Sequence, residues 1–253
     1  MNQTNLPVTG AGGRVCLVTG GSSGIGMKLA EHYAAEGYRV MIVARGLERL
    51  KQVASSIPGS YYIQADLSSP ESRDELASRL ASEKNVQLVI NCAGRPFRAP
   101  ATDFDEDDAT EAVQLLYISM LAVTGAVWES LKRSGGTVVN VISVEGSSTF
   151  TSKPSYNAAK HAALSWSRCL SREARKSGVR VLTVSPGATV TDTFPNTAMQ
   201  SSRWKRRLLM SDAECASKII KAVDNGSTES FQPQWWRLLA IVEAIAPGAF
   251  TRR

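Results

Sequence analysis

The sequence predicts an α/β fold, a doubly wound parallel sheet of about seven strands with helices on both faces. Two observations carry this. Short apolar, β-branched runs recur along the chain with segments of helical length between them, which calls for crossover connections and hence a parallel sheet buried on both sides. The first of these runs also opens directly into a glycine cluster followed by a helical pattern.

The strand candidates are 15–19, 39–43, 61–65, 87–91, 137–142 and 180–185. Segments 26–36, 70–83, 106–132 and 154–177 read as helices between them, and right-handed crossovers then wind the sheet in both directions. No internal repeat, low-complexity linker or break in composition divides the chain, so residues 1–253 are expected to form one domain. A chain this long buries roughly 70–75% of its unfolded surface, enough for a core without disulfides or metals.

Composition narrows the function classes. Residues 1–13 are polar and small, with no apolar run after a basic start, so a tail and no secretory signal are expected there. We find no unbroken apolar run of spanning length in the sequence. The four cysteines (Cys16, Cys92, Cys169, Cys215) are scattered, without a CxxC, and there are only two histidines; free thiols in a cytoplasmic protein are expected, and no metal site. The net charge of +6 suits an anionic small-molecule partner or an ordinary solvated surface, and no nucleic-acid motif accompanies it.

The run 15–19 leads into Gly20-Gly21-Ser22-Ser23-Gly24-Ile25-Gly26. Glycines at such a place permit a tight turn and let the backbone approach a pyrophosphate, which sits on the amides and positive dipole end of the next helix. Where an NAD site would place an acid, at the end of the second strand, the chain reads Val43-Ala44-Arg45. Arg45 suits a charge-assisted contact to a 2′-phosphate, so NADP(H) is the expected cofactor. Glu48, three residues on, is the only nearby carboxylate that would argue for NAD.

These motifs resemble those of the short-chain dehydrogenases/reductases, over roughly residues 14–222. Thr19 through Gly26 is similar to the family's TGxxxGxG loop, and Asp66-Leu67 to its adenine-contacting pair. Asn91-Cys92-Ala93-Gly94 looks like its NNAG stretch, and Ser143 with Tyr156 and Lys160 like its serine and YxxxK. Pro186-Gly187, with Thr189 and Thr191, resembles the PGxxxT turn at the nicotinamide. The resemblance implies a Rossmann-type fold and a homodimer or homotetramer, with Ser143, Tyr156 and Lys160 catalytic. It also implies that Lys160 holds the nicotinamide ribose and passes on protons, and that residues 194–210 form a lid over the substrate.

The residues support that chemistry directly. Tyr156 and Lys160 lie four apart in a helical segment and share a face. A tyrosine with a pKa near 10 is a usable acid, and a neighbouring ammonium is expected to favour the phenolate. Ser143, at the carboxyl end of the fifth strand, would stabilise charge developing on a substrate oxygen.

One departure stands out. The resemblance implies an asparagine in the long helix after the fourth strand, completing a water relay to the lysine, yet none occurs between Asn91 and Asn140. Leu116 or Tyr117 falls at that place, leaving Gln114, Ser119, a backbone carbonyl or bulk solvent to resupply protons.

In the variable regions, Phe194, Met199 and Trp204 read equally as a pocket wall or as the core of a short helix. The basic run 204–207 reads first as a solvated face, with a carrier-protein or phospholipid contact as the sharper alternative. The apolar stretch 235–246, beginning Trp235-Trp236, would cover the active site, a partner subunit or a membrane surface. The expected function is NADPH-dependent reduction of a hydrophobic or ring-bearing ketone or aldehyde. The alternatives are an NADP-dependent alcohol dehydrogenase working oxidatively and a non-catalytic NADPH-binding regulator.

Overall fold

The computed structural model describes residues 13–103, 105–149, 153–194 and 208–246. The first six strands are β1 (Val15–Thr19), β2 (Arg39–Ala44), β3 (Tyr61–Gln64), β4 (Val86–Asn91), β5 (Thr137–Val141) and β6 (Arg180–Pro186). A short pair, β7 (Thr189–Val190) and β8 (Met210–Ser211), stands apart, and β9 (Glu229–Gln232) closes the main sheet. The seven-stranded order is β3-β2-β1-β4-β5-β6-β9, and every neighbouring pair is parallel. The chain winds outward from β1 to β3, then crosses to β4 and winds the other way. That reversal opens a crevice at the carboxyl ends of β1 and β4, where such sheets bind ligands.

Alternate strand residues build two separate cores, as the two-residue period of a strand requires. Cys16, Val18, Val40 and Ile42 pack with Leu29 of helix α1 (Gly24–Ala35), Leu50 of α2 (Leu47–Ser56) and Ile219 of α8 (Asp212–Asp224). Val15, Leu17, Met41 and Val43 face the other way, onto Leu76 of α3 (Pro70–Leu80), Val123 of α5 (Ser119–Ala126) and Leu131 of α6 (Trp128–Ser134). Both faces being buried explains the near-continuous apolar strands that revealed the fold.

The expected single helix over 106–132 is broken in three. Helix α4 (Glu106–Val113) runs into a π turn at Gln114–Ile118, then into α5, and Val127 separates α5 from α6. In the π turn the amide of Ser119 reaches back five residues to Gln114 O, and the Ser119 hydroxyl donates to the carbonyl of Leu115 at 2.6 Å. An inserted residue of this kind frequently marks a functional site. By length and a mean hydropathy of 1.2 alone, Glu106–Ala126 would suit a membrane span; within the fold it packs against α3 and α7 (Pro154–Glu173).

The seventh strand was not legible as a strand. Glu229-Ser230-Phe231-Gln232 holds one large apolar residue and pairs on one side only, with β6. Helix α9 (Trp236–Ile245) follows it and buries none of its residues, leaving Leu238, Ile241, Val242 and Ile245 exposed. The basic run 204–207 lies outside the described residues.

A polar chain crosses the centre of the sheet. Asn91 Nδ2 donates to Thr124 Oγ1 at 3.0 Å and to Asn140 Oδ1 at 2.8 Å; Asn140 Nδ2 donates to Ser167 Oγ, which meets Thr183 Oγ1 at 2.7 Å. All five residues are buried, so each bond is made where an unpaired group would carry its full desolvation cost. The chain ties α5, β4, β5, α7 and β6 in register beneath the crevice. Replacing the fully buried Asn140 by leucine is expected to destabilise the protein by about 2–4 kcal/mol, read as a fall in the urea midpoint with the slope unchanged.

Candidate active site

The crevice at the switch point holds two adjoining cavities, of ≈ 390 Å³ and ≈ 270 Å³, which share Ile25, Cys92, Ala93, Gly94, Thr191 and Phe194 as a common wall. The larger is floored by the glycine loop. Thr19 at the end of β1 sets its position, its hydroxyl accepting the amides of Cys92 at 3.1 Å and Ala93 at 3.2 Å. Gly20 has φ +69°, and a Cβ there would lie 2.8 Å from Ala93 Cα; one on Gly26 would lie 2.4 Å from Gly20 O. Only glycine permits the turn and the close helix–strand packing. Ser23, the N-cap of α1, makes no side-chain cap, and the first turn holds no acid. The amides of that turn therefore remain for an anion, and the cradle fits a dinucleotide pyrophosphate.

Most expected cofactor residues line the larger cavity: Gly20, Ser22, Ser23, Gly24, Ile25, Gly26, Arg45, Asp66, Leu67, Ala93, Gly94 and Thr191. Glu48 does not, being paired on the surface with Lys51. Arg45 is free to turn towards a ligand, with its guanidinium 3.9 Å from Asp66 and its side chain 68% exposed. Asp66 is fixed by Ser68, whose amide and hydroxyl both donate to it. Asn91 departs from expectation: it does not line either cavity, because its side chain is committed to Thr124 and Asn140 inside the sheet.

The smaller cavity gathers Ser143, Tyr156 and Lys160 with Pro186, Gly187 and Thr189. The turn after β5 presents Ser143, whose Oγ accepts the amide of Glu145 at 3.1 Å, and α7 presents Tyr156 and Lys160 one turn apart. Burial rules the electrostatics here. It holds Tyr156 well above its ordinary value, Glu145 adds to the rise, and a hydrogen bond with Ser143 opposes it. Lys160 is 4% exposed, and burial depresses it to about 8. Its ammonium donates to the carbonyl of Val141 at 3.0 Å and stands 5.9 Å from the Tyr156 ring centre. The expected lowering of Tyr156 by its lysine is thus absent from the free protein: desolvation outweighs it, and the lysine donates to a backbone carbonyl.

The apolar wall comes from Phe194, Leu208 and Trp236; Met199 and Trp204 lie outside the described residues. Phe194 meets Tyr156 edge-on at 6.3 Å. Trp236 stacks on Trp235 at 4.5 Å and presses against Gly187, where a Cβ would lie 2.5 Å from its ring nitrogen. At the far end of α9, Glu243 accepts the amide of Thr149 at 2.8 Å. The start of α9 therefore borders the smaller cavity through Trp236. Sequence reasoning missed Arg49 and the pair Glu145–Lys153, which are 3.0 Å apart at the cavity wall; the surface-like residue types gave no signal.

Leu116, one of the two residues at the place where the resemblance implies an asparagine, is fully buried in the π turn in a cluster with Phe97, Ala112, Tyr156 and Ala159. Of the other candidates, Gln114 accepts from Arg73 and Ser119 donates to Leu115 O. Both side chains are committed, which leaves backbone carbonyls and solvent for the relay.

The buried lysine sets a testable pH dependence. Its folded value of about 8 lies below the ordinary 10.5, so the unfolded chain holds the extra proton between these values. The penalty is fully present below pH 8 and disappears as pH rises to 10.5. Lys160→Met is expected to stabilise the free protein by roughly 2 kcal/mol at neutral pH, after loss of the Val141 bond. Thermal melts should show this gain shrinking steadily between pH 8 and pH 10.5.

The comparisons agree with this geometry. The family model described as short chain dehydrogenase matches residues 14–202. A fatty acyl-CoA reductase of Acinetobacter baylyi is 31% identical over 243 residues, covering 93% of this chain and 81% of that protein. A solved short-chain dehydrogenase from Sphingobium yanoikuyae, in complex with NADPH, superposes with a TM-score of 0.82 at 25% identity, over 95% of this chain and 96% of that one. A bulky-bulky ketone specific alcohol dehydrogenase from Comamonas testosteroni gives 0.79 at 25% identity, over 95% and 94%. With its doubly wound sheet, glycine cradle and Ser143–Tyr156–Lys160 cluster, the chain belongs to the short-chain dehydrogenase family of oxidoreductases.

Proposed function

We propose that the protein reduces a ketone or aldehyde to an alcohol with NADPH, and that its substrate is hydrophobic or ring-bearing. The observation that carries this reading is the state of Tyr156: buried beside Ser143 in a cavity walled by Phe194, Leu208 and Trp236, it keeps its proton throughout the neutral range. A phenol so held suits proton donation to a substrate oxygen. The oxidative direction would need the phenolate instead.

When bound, the reduced nicotinamide supplies a hydride to the carbonyl carbon. The chain's own groups do the rest. The glycine loop holds the pyrophosphate on the first turn of α1, Arg45 reads the 2′-phosphate, and the turn from Pro186 to Thr191 borders the nicotinamide end. The Ser143 hydroxyl donates to the carbonyl oxygen and stabilises its growing negative charge. Tyr156 transfers its proton to that oxygen, completing the alcohol. Lys160 holds the ribose with hydrogen bonds and returns a proton to Tyr156. The apolar wall excludes water and admits a bulky side of the substrate.

The relatives' names fit this reading. Besides the acyl-CoA reductase and the bulky-ketone enzyme, an NADPH-dependent 1-acyldihydroxyacetone phosphate reductase of Schizosaccharomyces pombe is 32% identical over 178 residues, covering 69% of this chain and 60% of that protein. All three act on carbonyl or alcohol substrates of large or fatty character by name.

NADPH consumption against a panel of long-chain and aryl ketones and aldehydes tests the proposal. Turnover should fall by about 10²–10⁴ in Tyr156→Phe while NADPH binding is retained. Full activity in the variant would remove Tyr156 as the acid. Tight NADPH binding with no turnover of any carbonyl would favour a regulatory protein.

A further inference from the structure

We propose that Arg49 is a second ligand for the cofactor's 2′-phosphate, held in the free enzyme by Asp192, so that this pair sets how strongly NADPH is preferred over NADH. The inference rests on the NADPH reading above and adds to it a residue that the sequence pattern did not reveal.

Arg49 lies in the first turn of α2, four residues after Arg45, and both line the larger cavity beside the end of β2. That is the end of the crevice where the ribose 2′ position is read. Its side chain does not lie along its own helix. Nε donates to the carbonyl of Ser22 at 3.0 Å, and Nη2 pairs with the carboxylate of Asp192, 143 positions away in sequence. The guanidinium therefore reaches across from α2 to the glycine loop at Ser22 and to Asp192.

Arg49 is also the better-placed of the two arginines. Arg45 is 68% exposed with one long contact to Asp66, whereas Arg49 is anchored by Nε and 48% exposed. A guanidinium has five N–H donors, so it can keep its Ser22 bond and present others to a phosphate. The Asp192 carboxylate is 66% exposed, and ion pairs open to water hold weakly. A 2′-phosphate carries nearly two charges and three acceptor oxygens, so it outcompetes a single carboxylate for the same fork. NADH brings no such group and leaves Asp192 in place. Asp192 thereby acts as a competitor whose displacement only the phosphorylated cofactor offsets.

The test measures dissociation constants of NADPH and NADH by cofactor fluorescence for the full chain, Asp192→Asn, Arg49→Ala and the double variant. Asp192→Asn should tighten NADPH binding about 2–5-fold and change NADH by less, since a weak exposed competitor is removed. Arg49→Ala should cut the NADPH-to-NADH affinity ratio about tenfold. In the Arg49→Ala background, Asp192→Asn should leave that ratio unchanged. Equal shifts for both cofactors in Asp192→Asn, or the same gain without Arg49, would show a mere brace and overturn the inference. Absence of NADPH binding by the unaltered protein would instead overturn the cofactor reading itself.

Discussion

Taking Lys160 and Tyr156 out of water together is the constraint around which this structure is arranged. Both are buried, the lysine resting on the carbonyl of Val141 and the tyrosine against Leu116 and Ala159. An isolated buried ammonium is costly unless it is bonded or loses its proton. Here both responses occur, a hydrogen bond to the end of β5 and a pKa drawn down to about 8. The helix that carries the pair must therefore be held firmly, and the buried bonds of Ser167 to Asn140 and Thr183 hold it. The polar chain beneath the crevice and the reactive pair above it are two ends of one support.

The same constraint explains why the crevice is divided. Tyr156 and Lys160 face a cavity lined mainly by apolar groups, while the cavity lined by the arginines and the glycine loop has a larger polar share. A dinucleotide needs both environments, charge-assisted contacts at one end and a dry, shaped space at the other. The shared wall at Ile25, Ala93 and Gly94 consists of small or apolar groups, and Thr19 fixes it by bonding the amides of Cys92 and Ala93. A single hydroxyl thus connects the turn that receives phosphates to the strand end that borders the chemistry.

Six of the seven main strands were legible because each is apolar on both faces, the pattern a buried parallel strand requires. Strand β9 was not, since an edge strand with Phe231 as its one large apolar residue lacks that pattern. The break of the helix over 106–132 was hidden too: leucines and valines in that stretch keep their period, and the π turn depends on the local bonds of Ser119. At the site, glycines and the tyrosine–lysine pair announced themselves because few other residues serve those roles. Arg49 and Asp192 did not, as their meaning lies in a contact between distant segments. Asn91 shows the opposite case: a motif residue whose side chain serves the sheet's interior and lines neither cavity. The net direction of the Tyr156 shift was not legible for a physical reason, since sequence spacing shows proximity but not desolvation.

The account turns on where Tyr156 keeps its proton, and that is directly measurable. Labelling the ring ζ-carbon of the six tyrosines and assigning Tyr156 by its absence in Tyr156→Phe gives a carbon signal that follows ionisation. In the cofactor-free protein the signal should stay at its phenol position past about pH 10, where an ordinary tyrosine is half ionised. A midpoint below about pH 9 would mean that the lysine's charge, not burial, governs the site, and would contradict the account.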